Sequence, residues 1–188
     1  MYALKDGNGQ KQTRRDRALT AGRECAYLAL FVALAIASQL CLAVIPGVEV
    51  VTVLFLSYSF AFGIKRGALA ATAFSLLRQF VFGFFPNVLI LYLLYYNLLA
   101  LLFGFLGGRV QRPLSALWWL TALACLCTVC FTLFDNVITP LWYGYTKEAA
   151  KGYFFASMAV VIPQVVCTAV TVALLFLPLQ KAFRLIKR

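Results

Sequence analysis

The sequence predicts an all-helical integral membrane protein, a bundle of six transmembrane helices with both termini in the cytoplasm. Hydrophobic residues make up 63% of the chain and charged residues 12%, and the mean hydropathy is +0.89. Soluble domains average about half apolar and about a quarter charged residues, so a water-soluble core could not bury this composition. The second observation is that the basic residues alternate with apolar runs along the chain.

Six apolar runs are each candidate membrane spans, since about 17–25 residues cross the hydrocarbon. In chain order they are 25–44, 48–64, 67–85, 88–106, 114–142 and 153–177. An even number of spans returns both termini to one side. Residues 1–22 form a polar, basic arm that we expect to be a disordered cytoplasmic extension. Residues 23–188 then form one membrane domain.

Fourteen of the 17 Lys and Arg residues fall in four clusters that the six spans would place on one side. The clusters are Lys5, Lys11, Arg14, Arg15, Arg17 and Arg23; Lys65 and Arg66; Arg109 and Arg112; and Lys181, Arg184, Lys187 and Arg188. By the positive-inside rule this side is cytoplasmic. The net charge of +11 could suggest nucleic acid as a partner, but basic residues in short loops do not form the contiguous face that such binding needs.

The residue inventory argues against an enzyme. The chain has no histidine, which excludes Ser-His membrane hydrolases and zinc proteases of the H-E-x-x-H type. It has no G-x-x-x-x-G-K-[ST] loop, so any ATP use must come from a partner. The six cysteines lie in apolar runs and are expected to pack as small apolar residues, including Cys125, Cys127 and Cys130. We therefore predict no cofactor, metal site or disulfide framework.

Polar groups inside spans are the best functional pointers, because each is costly in hydrocarbon and normally faces a cavity or a partner. In the six-span topology these groups converge on the outer half of the bundle, where tyrosines could also stack on a ligand. The candidate ligand-binding residues are Glu49, Arg78, Tyr92, Tyr96, Asn97, Asp135, Asn136 and Gln164. Two alternatives stay open: Arg78 and Asp135 could form a structural ion pair, and the tyrosines could belong to an interfacial aromatic belt.

A stripe of small residues marks the first span. Ala29, Ala33 and Ala37 recur every four residues and would let another helix approach closely. Packing within the chain and contact with another protein explain such spacing equally well. We take the stripe as a candidate partner interface.

Taken together, these features resemble the substrate-binding S component of an energy-coupling factor (ECF) transporter for vitamins and related micronutrients. The resemblance covers about residues 23–188 and rests on the size, the six spans, the alanine stripe and three segments. These are IPGVE at 45–49, FAFGIKRGALAA at 60–71 and FTLFDNVIT at 131–139. The pocket residues do not match the set of the thiamine, riboflavin, biotin or folate members, so the ligand stays open.

The resemblance implies a location in the plasma membrane of a prokaryote and a role in ligand capture rather than chemistry. It implies that the connection 45–49 acts as a lid over a pocket built mainly from the fourth, fifth and sixth spans. It also implies that the alanine stripe contacts a coupling membrane subunit driven by two ATPases. The alternative function is a stand-alone, proton-coupled transporter in which Asp135 would titrate.

Overall fold

The computed structural model describes residues 6–45, 48–110 and 113–187. Within these ranges the chain forms six helices joined by short connections, and no strand. They are α1 Asp6–Leu42, α2 Val51–Phe62, α3 Ile64–Phe82, α4 Pro86–Arg109, α5 Pro113–Tyr143 and α6 Lys147–Lys187. The all-helical class predicted from the sequence is confirmed.

Four helices of the described ranges are long and apolar enough to cross a membrane: Gly22–Leu42 within α1, Pro86–Arg109, Leu114–Tyr143 and Lys147–Ile186. They identify a multi-pass membrane protein. The other two predicted spans, 48–64 and 67–85, correspond to α2 and α3. With 12 residues, α2 rises only about 18 Å, against a hydrocarbon thickness of about 30 Å. Three basic residues make α3 less apolar than the four long helices: Lys65, Arg66 and Arg78.

The short helix α2 forms the centre of the bundle. Every residue from Val51 to Phe60 is buried, including Thr52, Ser57 and Ser59. It packs against all five other helices. A helix that is apolar on every side and carries no charge is stable only when neighbours surround it, which explains this position.

Two glycines of α4 allow that helix to lie directly against the turn between α2 and α3. Gly63 makes the turn with a φ of 84°, a conformation that favours glycine. A β-carbon at Gly104 would lie 2.7 Å from the backbone nitrogen of Ile64, and one at Gly107 would overlap the backbone carbonyl of Phe60. Gly104 and Gly107 are therefore used for close packing within the chain.

Arg23, Lys65, Arg66, Arg109, Lys181 and Arg184 lie at one end of the bundle, which we call the basic end. Arg66 at the start of α3 forms an ion pair with Glu24 of α1. The ring centroid of Phe62, at the end of α2, lies 5.7 Å from that of Phe183 on α6, which is close in sequence to Lys181 and Arg184. Lys5, Arg112 and Arg188 lie outside the described residues. The side of the membrane that this end faces stays a prediction.

The N-terminal segment differs from the sequence prediction. Residues 1–22 were expected to be disordered, whereas α1 begins at Asp6 and continues into the apolar part without interruption. Gln, Lys, Arg and Ala favour helix, and extending an existing helix avoids the cost of nucleating a new one. Composition alone does not reveal this coupling to the apolar segment.

Candidate functional site

A cavity of about 320 Å³ lies at the end of the bundle opposite the basic end. We call it the α1–α2 cavity, because the end of α1 and the connection to α2 form much of its wall. One residue of α6 and two of α3 complete it. The lining residues are Gln39, Leu42, Ala43, Ile45, Val48, Glu49, Arg78, Phe82 and Gln164. Pro46 and Gly47 of the predicted lid lie outside the described residues.

Arg78 is the principal cation of this cavity. Its guanidinium carbon lies 4.5 Å from the ring centroid of Phe82 and 4.4 Å from that of Tyr92, so the charge is held between two aromatic faces. Its Nε donates a hydrogen bond to Gln39 Oε1 at 2.9 Å. The Nη1 group is buried and has no hydrogen-bond partner among the described residues. Arg78 is thus fixed in place with hydrogen-bonding capacity left over.

Gln39 connects Arg78 to Tyr92 by hydrogen bonds. It was not among the candidate residues predicted from the sequence. Its Nε2 donates to the hydroxyl of Tyr92 at 2.8 Å, while its carbonyl oxygen accepts from Arg78. The residue lies in the last turn of the first apolar run. The rule that selected Asn97 and Gln164, an amide inside a span, also applies to Gln39 and could have identified it.

Glu49 lies in the connection just before α2. Thr52 donates a hydrogen bond to its Oε1 at 2.9 Å, and the thiol of Cys167 lies 3.4 Å from its backbone carbonyl oxygen. Both contacts fix the connection on top of the bundle. Among the described residues the ion pair of Arg66 with Glu24 is the only one, so Glu49 and Arg78 line the same cavity without pairing.

A second cavity, of about 380 Å³, lies between α5 and α6 and is called the α5–α6 cavity here. It is lined by Phe131, Thr132, Asp135, Tyr153, Ala156, Ser157, Val160 and Gln164. Gln164 lines both cavities, which makes them neighbours. Together they account for four of the eight predicted ligand-binding residues: Glu49, Arg78, Asp135 and Gln164.

Asp135 is held by hydroxyl groups and not by Arg78. One carboxylate oxygen accepts a hydrogen bond from Thr139 Oγ1 at 2.7 Å, and the other accepts from the hydroxyl of Tyr153. Asn87 donates in turn to Thr139 at 3.3 Å. The alternative of a structural ion pair between Arg78 and Asp135 is therefore wrong, because the two side chains have separate partners on different helices.

Asn136 lies next to the α5–α6 cavity without lining it. Its Oδ1 accepts a hydrogen bond from Ser157, a lining residue, at 2.8 Å. Its Nδ2 is buried and has no partner among the described residues. Asn136 therefore positions Ser157 on the cavity wall and keeps two donors unused.

The three remaining predicted residues lie deeper. Tyr92 reaches the α1–α2 cavity through its contacts with Arg78 and Gln39. Tyr96 is almost fully buried, with its ring 4.8 Å from that of Phe55. Asn97 bonds to Thr72 of α3 at 3.3 Å and to the Leu93 carbonyl at 2.8 Å. Tyr96 belongs to the core and Asn97 joins α4 to α3, since neither lines a described cavity.

The alanine stripe lies on the outer surface of the bundle. Ala29, Ala33 and Ala37 are all exposed, whereas Ala35 on the opposite side of α1 is fully buried. Packing within the described part of the chain therefore does not explain the stripe. The six cysteines are free, and the described residues contain no group of three or more potential metal ligands.

Comparison with known proteins adds no relative to this description. No family model, no curated protein and no solved structure matches the chain.

Proposed function

We propose that the chain is the substrate-binding S component of an ECF-type transporter in a prokaryotic plasma membrane. It captures a vitamin or related small organic micronutrient from outside and passes it on with an ATP-driven partner module. One observation carries the proposal: the α1–α2 cavity gathers a cation, a carboxylate and two amides from four separate parts of the chain.

The energetic cost of polar groups in a membrane supports this proposal. A charged side chain inside a membrane protein is rare and normally marks a substrate path. Arg78 and Glu49 open into one cavity, and its volume falls within the range of about 300–1,000 Å³ typical of small-molecule sites. Leu42, Ile45 and Val48 supply the apolar part of the wall. A ligand would thus be oriented by polar groups and enclosed by apolar ones.

The proposed orientation follows from the charges. Both termini and the basic end face the cytoplasm, in accord with the positive-inside rule, and both cavities open toward the outside. In this orientation the chain passes between the two sides of the bundle six times, and α2 makes its passage enclosed by the other helices. The connection between α1 and α2 forms a cover on the outer side, and a cover that binds ligand must move when the ligand leaves.

The exposed alanine stripe supports a partner on α1. Small side chains allow a neighbouring helix to approach closely, and membrane-embedded association depends on such packing. We assign this face to a coupling membrane subunit driven by two ATPases. Energy is needed because a site with nanomolar affinity must lose about 12 kcal/mol of binding free energy when it empties.

An uptake assay with the energising module tests the proposal. The ligand is first identified by native mass spectrometry of protein purified gently from its own cells. Proteoliposomes should then accumulate that ligand only when the coupling subunit and both ATPases are present. ATP must also be supplied on the side of the membrane that carries the ATPases. ATPases with the phosphate-binding lysine replaced by alanine are the control and should give no uptake.

The same assay separates the second candidate, a proton-coupled transporter. The observation that favours this candidate is Asp135, a carboxylate between two hydroxyl donors beside the α5–α6 cavity. Uptake that proceeds without the ATPases and stops when the proton gradient is collapsed would replace the ECF assignment. The Asp135→Asn variant would then be inactive in uptake.

A further inference from the structure

The α1–α2 cavity holds one cation and one anion that do not neutralise each other. Arg78 and Glu49 both line it, yet the described part of the chain has no ion pair between them. The neighbours of Arg78 are an amide and two rings, and the partners of the Glu49 carboxylate are the hydroxyl of Thr52 and the amide of Gln164, both neutral. Charges left apart in an apolar setting are costly unless a third group compensates both.

The unused hydrogen-bonding capacity points to the anionic half of such a group. Guanidinium presents five N–H donors in a fork that matches carboxylate and phosphate oxygens. Nε is used by Gln39, and Nη1 lacks a partner within the described residues. The rings of Phe82 and Tyr92 fix the plane of the fork. An oxyanion on the cavity side would therefore meet an already oriented donor.

The cationic half faces Glu49. Thr52 donates to one carboxylate oxygen at 2.9 Å, and the Gln164 amide is a second hydrogen-bonding neighbour, so both donors to this cavity-lining carboxylate are neutral. A carboxylate accepts from charged N–H groups more strongly than from neutral ones. Apart from Gln39 and Arg78, the rest of the wall, including Leu42, Ile45 and Val48, is apolar.

We infer that the ligand of the α1–α2 cavity is a small zwitterion, with a carboxylate or phosphate at Arg78 and a protonated amine at Glu49. This inference rests on the proposed function, because it names the class of solute that the binding subunit captures. The body between the two charges is apolar. A singly anionic or singly cationic solute would leave one of the two cavity charges without a partner, and a neutral solute would leave both.

A matched panel of probes on the purified full-length protein tests the charge requirement. Melting temperature is measured with leucine, 3-methylbutylamine and 4-methylpentanoate, and with 6-aminohexanoate, hexylamine and hexanoate. The other proteinogenic amino acids and O-phosphoethanolamine complete the panel and separate the carboxylate source from the phosphate source. We expect at least one zwitterion to raise the melting temperature and its singly charged analogues to bind roughly tenfold or more weakly.

Two isosteric variants assign the two ends of the ligand. Glu49→Gln should weaken binding of the zwitterion roughly tenfold and leave the affinity for its amine-free analogue unchanged. Arg78→Gln should weaken binding of the zwitterion to a similar extent and leave the affinity for its carboxylate-free analogue unchanged. Arg78→Lys keeps the charge and serves if Arg78→Gln fails to fold, as judged by its elution and ligand-free melting temperature. Glu24→Gln and Arg66→Gln make the same chemical changes at the basic end and should leave binding unchanged.

The outcomes separate this inference from the proposed function. Analogues that bind as well as their zwitterion, or a panel in which no zwitterion raises the melting temperature, would overturn the inference. A copurified ligand with a single charge or none would do the same, and ATP-dependent uptake of it would leave the proposed function standing. A bound lipid with an ethanolamine headgroup would keep the charge pattern and overturn solute capture.

Discussion

The two ends of the helix bundle are held together by different kinds of contact. At the basic end, glycines let α4 lie directly against the turn after α2, and Phe62 packs on Phe183. At the opposite end, amides, hydroxyls and charged groups connect the helices, and two cavities lie between them. A smaller cavity of about 170 Å³ near Phe62 and Phe183 is lined only by apolar and aromatic residues. The difference indicates that the basic end is held by apolar packing, while the opposite end gathers the polar groups that could bind a ligand.

The buried nitrogen groups without a hydrogen-bond partner follow the same division. Within the described ranges, the buried amide and guanidinium nitrogens without a partner belong to Arg78, Gln79 and Asn136, all at the cavity end. The other unpartnered buried groups of the described residues are hydroxyls, those of Ser57 and Ser59 on α2 and that of Tyr95 on α4. A buried amide or guanidinium N–H without a partner lowers the stability of the fold more than a hydroxyl that can rotate toward another acceptor. The cavity end is therefore less stable than it could be, and its free donors are available to a ligand.

The largest effect on the scaffold should come from Gly107→Ala. Its β-carbon would overlap the Phe60 carbonyl, so α4 must shift, and we expect the free energy of unfolding to fall by about 3 kcal/mol. Gly108→Ala is the matched control, because no atom lies within 4 Å of a β-carbon there. It should be neutral or stabilising by up to ~1 kcal/mol in mixed-micelle unfolding. Equal effects at the two positions would refute the close approach.

At the cavity end, Arg78→Ala should affect binding more than folding. Loss of a charge-assisted contact should weaken ligand affinity by about 100-fold. Loss of the contacts with the Phe82 and Tyr92 rings should cost only about 1 kcal/mol of stability. Calorimetric titration and mixed-micelle unfolding measure the two quantities. A variant that unfolds readily but still binds with native affinity would make Arg78 a structural residue.

Gln39→Ala should reduce stability by about 2 kcal/mol, because it leaves Arg78 Nε and the Tyr92 hydroxyl without their shared partner. Ser38→Ala is a close control. Among the described residues its hydroxyl bonds only to the Leu34 carbonyl of its own helix, so the change should lie within about 0.5 kcal/mol. The comparison fails if both substitutions cost the same free energy of unfolding.

The smallest expected effect is the coupling between Asp135 and Tyr153. A double-mutant cycle with Asp135→Asn and Tyr153→Phe should give a coupling energy of about 1 kcal/mol. The corresponding cycle with Arg78→Gln and Asp135→Asn should give almost none, since the structure has no pair there. Several kcal/mol in the second cycle would restore the ion-pair alternative.

Hydropathy and charge placement were enough to predict an all-helical membrane protein and a polar cluster away from the basic residues. Composition predicts these features because burial and membrane sidedness depend on total apolar length and loop charge. The same signals did not distinguish α2 from a full span. A buried central helix and a lipid-facing one are equally apolar, and only Gly63 marks where α2 ends.

The rotation of each helix about its own axis could not be predicted from the sequence either. Arg78 and Gln164 were expected in the site and line it, whereas Tyr96 packs in the core and Asn97 bonds to Thr72. In a helix with apolar residues on every side, no periodicity tells which face meets a cavity. The partners of Arg78 and Asp135 depend on that rotation, which is why their pairing could not be decided from the sequence.

Ligand binding at the α1–α2 cavity and partner contact at the alanine stripe are proposed to be separate functions. The most direct test compares Ala33→Trp with Arg78→Ala in paired assays of ligand binding and ATP-dependent uptake. Ala33 is exposed on α1, and Ala122→Trp adds the same bulk to an exposed position of α5 as a control. We predict that Ala33→Trp abolishes uptake with native binding, that Arg78→Ala loses both, and that Ala122→Trp loses neither. Parallel loss of binding and uptake in Ala33→Trp would contradict the account.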